Sequence, residues 1–320
     1  MHNIFTVDLE DYFHPTEVGA GIPPFDWGSF PSRVVVGTSF LLDTLARYDI
    51  RATFFVLGWV ASHNPKLVRR IADAGHEIAC HSNQHRLVYD LSPAQFKADT
   101  QAAIRAIEDA TGITPRAYRA PSFSITKQSL WALEILAECG ITHDSSICPI
   151  THDRYGIPGS ARHAHVIYTP SGPIVEVPVA TVQLSGARIT PVGGGAYLRL
   201  FPYRYIAAGI RRINVMEQQP ACIYIHPWEL DRGQPRLASG RIARLRTYAG
   251  LRTVPGKIDR LLKDFEFSTL TAVHPHPGPL SQNSYRKSAS QAAHLVQLPA
   301  WVMAPWSSEW ASREGIAGRA

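Results

Sequence analysis

The sequence predicts an α/β protein, a parallel sheet with helices packed outside it, at a spacing that suits a barrel. Three observations carry this. Short apolar runs of strand length recur, and several of them stop at a charged residue or a histidine. Segments with the apolar spacing of a helix lie between these runs. Those segments open on Asn64-Pro65 or Ser92-Pro93 and close at Gly75, Gly112 or Gly140, the punctuation expected of helix ends.

Residues 4–7 read as a buried strand ending at Asp8, and parallel α/β proteins place their chemistry at that end. Residues 12–31 are aromatic and rich in Gly and Pro, so they read as a loop placed to cover a substrate. Val35, Phe40, Leu41, Leu42 and Leu45 give residues 34–48 a helical stripe. Residues 52–58, rich in β-formers, are the next strand. A helix from Asn64 to Gly75 leads into a strand at 77–80, with His81 just beyond it. Ser92 caps a helix that carries Pro93 in its first position and ends near Gly112. Tyr118-Arg119-Ala120 is a strand end, 127–139 a helix and 141–144 a short strand. From 150 to 200 the rhythm breaks into turns and short strands, a β-rich insertion in which Gly193-Gly194-Gly195 marks a tight passage of backbone. Residues 201–217 read as helix, 221–225 as the last core strand and 239–265 as mainly helix. Beyond residue 274 the composition shifts to Pro, Ser, Gln and Ala. Residues 1–274 are therefore expected to form the domain, and 275–320 a poorly ordered tail.

A chain of 320 residues with an ordinary apolar share can bury a sizeable core. The net charge of +6 is spread along the sequence rather than run together, which argues against nucleic-acid binding and reads as a solvated surface. Cys80, Cys139, Cys148 and Cys222 show no Cys-x-x-Cys spacing, and Cys80 and Cys222 lie in apolar runs as buried thiols do. No stretch is long and apolar enough to cross a bilayer. The N-terminus enters a strand at once, without a signal-peptide pattern, so a cytoplasmic location is expected.

The chemistry concentrates in two places. His81-Ser82-Asn83-Gln84-His85 offers two imidazoles four residues apart, a spacing that lets both face one metal ion from the first turn of a helix. Asp8, Glu10 and Asp11 crowd carboxylates at the end of the first strand, where they can supply a third ligand and a general base. Alone, the histidine pair is a weak signal, because surface histidines fall at that spacing by chance. With the carboxylates it is the equipment of a metal-assisted hydrolase.

Further pieces follow in order: Tyr118-Arg119-Ala120-Pro121-Ser122-Phe123-Ser124, then His143-Asp144-Ser145-Ser146, then Tyr224-Ile225-His226-Pro227-Trp228-Glu229. From Thr6 to Glu229 the chain resembles the polysaccharide deacetylases, the family built on the NodB homology domain. Its Asp-Leu-Glu-Asp-Tyr-Phe first motif is similar to a branch encoded with bacterial exopolysaccharide and exosortase systems. The resemblance implies a distorted (β/α) barrel of about seven parallel strands. It also implies a metal-dependent hydrolase that removes N-acetyl groups from N-acetylhexosamine units of an oligo- or polysaccharide. His81 and His85 would bind a divalent metal, Zn²⁺ for preference, although imidazole also suits Co²⁺ or Ni²⁺. Asp8 would be the general base, Arg119 its fixed cation and His226 the general acid, with Asp144 placed to tune His226. The family has a metal-binding Asp directly after the base, and here Leu9 stands there. Glu10 or Asp11 would then supply the carboxylate ligand, Glu10 being preferred because alternate residues of an extended segment face one side. Allantoinase-like relatives that share the fold offer a second reading, a small-amide hydrolase. A glycan-binding protein that has lost the reaction is a third.

Overall fold

Strand-length apolar runs in this chain are buried on both faces, so they need helices outside and a filled interior within. The computed structural model describes residues 1–19, 22–184 and 189–276. The predicted tail therefore lies almost wholly outside the described residues. Eleven strands are present among the described residues: β1 (Asn3–Leu9), β2 (Thr53–Val56), β3 (Glu77–Cys80), β4 (Ala117–Tyr118), β5 (His143–Asp144), β6 (His165–Thr169), β7 (Gly172–Glu176), β8 (Thr181–Gln183), β9 (Ile189–Pro191), β10 (Cys222–Ile225) and β11 (Phe267–Ser268). The main sheet runs β10-β1-β2-β3-β4-β5-β7, with every neighbouring pair parallel. That is the seven-stranded parallel arrangement the sequence implies. β6 adds to β7 antiparallel, and the short β11 pairs with the start of β1.

Between β7 and β10 the ring is bridged by irregular backbone. Ala180 N donates to Cys222 O at 2.9 Å, and Tyr224 N to Gly193 O at 2.6 Å. Gly194 pairs with Tyr224 as a single parallel bridge. Its φ is +143°, and a Cβ there would fall 1.9 Å from the Tyr224 carbonyl oxygen, so only glycine fits. This is the tight passage read from the glycine run. The segment 150–200 is less of an insertion than the sequence suggested, because β7 is a member of the main sheet.

The helices, most of them outside the sheet, are α1 (Thr16–Gly19), α2 (Val34–Arg47), α3 (Gly58–His63), α4 (Pro65–Asp73), α5 (Pro93–Thr111), α6 (Trp131–Glu138), α7 (Gly195–Leu200), α8 (Tyr203–Val215), α9 (Arg241–Tyr248), α10 (Val254–Asp264) and α11 (Leu270–Val273). Ser92 and Gln95 cap α5 reciprocally, and Gly112 ends it at φ 75°. Helix α3, which starts directly after β2, and helix α7 carry no flanking signal in the sequence and were not expected. Residues 12–31, expected as a loop, hold α1 and a 3₁₀ turn at Pro24–Ser29, with Tyr12, Phe13, His14 and Trp27 buried.

The two-residue period of the strands divides the core. Phe5, Val7 and Leu9 of β1, Phe54 and Val56 of β2, and Ile223 and Ile225 of β10 pack outward beneath the helices. Ile4, Phe55, Ala79, Ala117 and Cys222 form a separate cluster on the opposite, inner face. Counting on in twos from the inner residues gives Asp8, His81, Arg119 and His226, so alternation alone brings these four to one end of the ring.

Candidate metal and catalytic site

Asp8 ends the inner row of β1 and is almost fully buried. Directly after it the chain turns back, with Glu10 N donating to Asp8 O at 3.0 Å. The Glu10 carboxylate thereby stays on the same side as Asp8. Arg119, one residue past β4 and wholly buried, holds Asp8 from beneath: Nη1 reaches Asp8 Oδ1 and Thr6 Oγ1, each at 2.7 Å. Its other donors go to Ser145, Nε to the carbonyl at 3.1 Å and Nη2 to Oγ at 2.8 Å, and to Cys222, Nη2 to Sγ at 3.7 Å. The guanidinium lies 4.2 Å from the centre of the Phe55 ring. Every direction the fork faces is thus occupied, and one Asp8 oxygen is fixed while Oδ2 faces the site.

Glu10, His81 and His85 converge. One ligand atom from each lies within 4.8 Å of the others. Glu10 Oε2 is 2.8 Å from His85 Nε2, and both side chains are buried. His81 Nδ1 is 2.8 Å from the Arg119 carbonyl, an acceptor, so the proton sits on Nδ1 and Nε2 presents its lone pair. Burial lowers the His81 pKa to about 4 against the opposing pull of Asp8 and Glu10, which keeps the imidazole neutral. For Glu10, burial alone would raise the pKa, but the neighbouring His85, His226 and His81 outweigh it and hold the carboxyl well below the usual range. These residues therefore fit a divalent metal by donor type and convergence.

The histidine pair is not on a helix. Residues 81–87 are irregular, with Ser82 at φ 61° and His85 at φ 52°. Local polar bonds hold this loop instead. His85 N donates to Ser82 Oγ at 3.0 Å, and the Asp99 carboxylate of α5 accepts from Asn83 N at 2.8 Å and Gln84 N at 3.2 Å. Asp99 was not picked out from the sequence, because nothing local marks a helix residue as the anchor of a distant loop.

Asp11 is a correction. Its carboxylate caps α2, accepting from Ser32 Oγ at 2.7 Å, Arg33 N at 2.8 Å and Val34 N at 3.1 Å, and from Tyr12 N on the other oxygen. The turn that follows Asp8 leaves Asp11 facing the start of α2, away from the histidines.

His226 follows β10, with Nε2 3.5 Å from Glu10 Oε1 and 3.8 Å from Asp8 Oδ2. Asp144 does not touch it, which is the second correction. Asp144 lies fully buried at the end of β5, bonded to Ser146 Oγ and facing Glu176. The partner of His226 is Glu229, whose Oε2 is 3.2 Å from Nδ1 and 3.1 Å from the His226 backbone nitrogen. Arg199 of α7 in turn donates from Nε to Glu229 Oε1 at 2.6 Å. Burial alone would lower the His226 pKa; the Glu229 hydrogen bond and the charges of Glu10, Glu229 and Asp8 outweigh it and raise the value to about 9. The signal for Glu229 was present in His226-Pro227-Trp228-Glu229, where Pro and Glu occupy the first and third positions of a helical turn. Trp228 stacks on His226 and donates Nε1 to Glu10 Oε1 at 3.1 Å, so it orients both halves of the site. The Phe123 N–H bonds Ala120 O at 3.0 Å.

These side chains floor a cleft of about 350 Å³, walled by Pro15 and Thr16, by Ser122 and Phe123, and by residues 195–201. Residues 24–143 match the polysaccharide deacetylase family, and residues 145–274 match a domain of unknown function, DUF3473. The second match is no separate appendage, because β6, β7 and β10 complete the sheet that β1 to β5 begin. Among curated proteins the chain is 38% identical over 104 residues to a peptidoglycan-N-acetylglucosamine deacetylase of Listeria monocytogenes, covering 32% of this chain and 22% of that one. It is 35% identical over 101 residues to a chitooligosaccharide deacetylase of Bradyrhizobium, covering 31% of this chain and 43% of that one. The chain thus spans less than half the length of these relatives. The crystal structure of a Mycobacterium smegmatis protein assigned to the polysaccharide deacetylases superposes with a TM-score of 0.53 at 21% identity, over 85% of this chain and 95% of that one. That likeness shows the same fold. Residues 24–143 of the chain thus form a polysaccharide deacetylase (NodB) domain, followed by a DUF3473 domain over residues 145–274.

Proposed function

We propose that this chain is a metal-dependent hydrolase that removes acetyl groups from N-acetylhexosamine units of a glycan. The observation that carries the reading is the convergence of Glu10, His81 and His85 beside the Asp8–Arg119 pair and the His226–Glu229 pair. An amide resists water, so cleavage needs an activated nucleophile, a stabilised oxyanion and a proton for the leaving amine. Glu10, His81 and His85 would hold the metal, and a bound divalent ion supplies Lewis acidity toward the acetyl carbonyl and lowers the pKa of water. Asp8 Oδ2 accepts the proton of the water that adds to the carbonyl carbon. Arg119 holds the Asp8 carboxylate fixed during that step. His226 Nε2 gives a proton to the nitrogen as the C–N bond breaks, leaving acetate and a free amine. Glu229, on Nδ1, orients the imidazole and stabilises its charged form.

The decisive experiment is acetate release from N-acetylglucosamine oligomers by metal-stripped protein, with and without added Zn²⁺ or Co²⁺. Release restored by metal supports the reading. No release from protein that has bound metal through Glu10, His81 and His85 points to another acyl substrate and sinks the acetyl assignment. Within this proposal the glycan is an exopolysaccharide intermediate, supported by the branch likeness of the Asp8-to-Phe13 motif. Unchanged acetylation of the secreted polymer in a deletion strain would refute that. The location is read as cytoplasmic, with four unpaired cysteines, three of them buried, in support. Cell fractionation decides it.

A further inference from the structure

Beyond the reacting groups, the cleft is walled by residues of the second half of the chain. Tyr155, Tyr197 and Phe201 present aromatic surface there, suited to sugar rings. Two guanidinium groups stand among them. Arg154 is held by Glu17 through Nη2 at 2.5 Å, while its Nε is buried with no hydrogen-bond partner among the described residues. Arg246 is 44% exposed, and its nearest carboxylate, Asp153, is 3.9 Å away and itself 62% exposed. A third arginine, Arg199, is committed to Glu229 and to backbone carbonyls. Asp8 and Glu10 apart, Glu17 is the one carboxylate lining the cleft among the described residues. Glu17 fixes Arg154 without satisfying all its donors, and Asp153, outside the lining, pairs Arg246 only loosely, so two guanidinium groups with donors to spare stand at the outer cleft.

We propose that the substrate is an anionic glycan, with a carboxylate or phosphate ester held by Arg154 and Arg246 outside the acetamido group that reacts. The claim rests on the deacetylase reading of the same cleft. A neutral glycan offers hydroxyls and acetamido groups, which match neither the charge nor the planar fork of a guanidinium. An oxyanion matches both.

The test uses the full chain loaded with zinc and three oligosaccharides of equal length. One is a neutral N-acetylglucosamine oligomer, one alternates N-acetylglucosamine with glucuronate, and one carries a terminal phosphate ester. A charged substrate is expected to exceed the neutral one in kcat/KM by about tenfold, the scale of one charge-assisted contact. The preference should shrink as salt is raised. Arg246→Gln and Arg154→Gln should each cut the charged-to-neutral ratio, mainly through KM, and Arg154→Lys should restore part of it. Whether uronate or phosphate shows the preference identifies the anion. Equal kcat/KM for neutral and charged substrates, or variants that lower both alike, would overturn the proposal. If no substrate releases acetate, the deacetylase reading fails by itself. Calorimetric titration of the same oligosaccharides onto metal-free protein then decides the anion claim: tighter binding of a charged member, lost in Arg246→Gln, retains it, and equal or absent binding ends it.

Discussion

At the scale of single residues, the carboxylates after β1 divide their labour by direction, and substitutions should separate them. Asp8 lies outside the converging ligand trio and is held by Arg119. Asp8→Asn is expected to retain metal while losing turnover by about 10²–10⁴-fold, the scale for removing a general base. Metal content by emission spectrometry beside kcat checks this, and joint loss of both would reassign Asp8 as a ligand. Glu10→Gln should lose metal and activity together. Asp11→Ala should keep the metal stoichiometry and instead lower the unfolding temperature, since an N-cap contributes about 1–2 kcal/mol. A stable but metal-free Asp11→Ala protein would reverse that assignment. Glu10 was distinguishable from Asp11 in the sequence because alternation on a strand is local information. Glu229 was readable only as the third residue of a helical turn. Its pairing with Arg199, thirty positions back, is tertiary and leaves no local trace.

Elements position what residues perform. Strands β1, β3, β4 and β10 were legible because buried runs with β-formers and sharp ends carry their own signal. The shape of the His81–His85 segment was not. A four-residue spacing suits a helical turn, but here side-chain bonds from Ser82 and Asp99 impose left-handed backbone at two positions. Asp99 touches no candidate ligand, yet it holds two backbone N–H groups of the loop that presents His85. Asp99→Ala should therefore weaken metal affinity by about 10–100-fold, as supporting contacts do, with α5 still formed. Metal titration alongside circular dichroism measures both. An unchanged affinity would show that the loop keeps its shape without that anchor.

For the whole molecule, the ring carries a buried cost away from the reacting groups. Asp144 and Glu176, at the ends of β5 and β7, are fully buried and face each other. Burial raises both carboxyl pKa values, Glu176 well above its ordinary range with the Asp144 charge adding to the effect. A carboxyl with a raised folded-state pKa stabilises fully below its unfolded pKa, and that stabilisation is lost as pH rises through the folded value. Glu176→Gln needs no proton, so its unfolding temperature should gain on the parent as pH increases. A gain of a few degrees at alkaline pH corresponds to about 1 kcal/mol in a domain of this length. A difference independent of pH would show that the pair holds no proton. The parallel architecture was legible from the βα rhythm; the seam between β7 and β10 was not, because irregular backbone has no period to read. That seam, and the pairing of the first strand with β10, also join the two halves of the site. Glu10, His81, His85 and Arg119 belong to the first four strands, whereas His226 and Glu229 are synthesised more than a hundred residues later. Molecules in which the last segment has yet to dock are expected to hold metal but to lack a proton donor, so bound metal counts started rings and turnover counts finished ones.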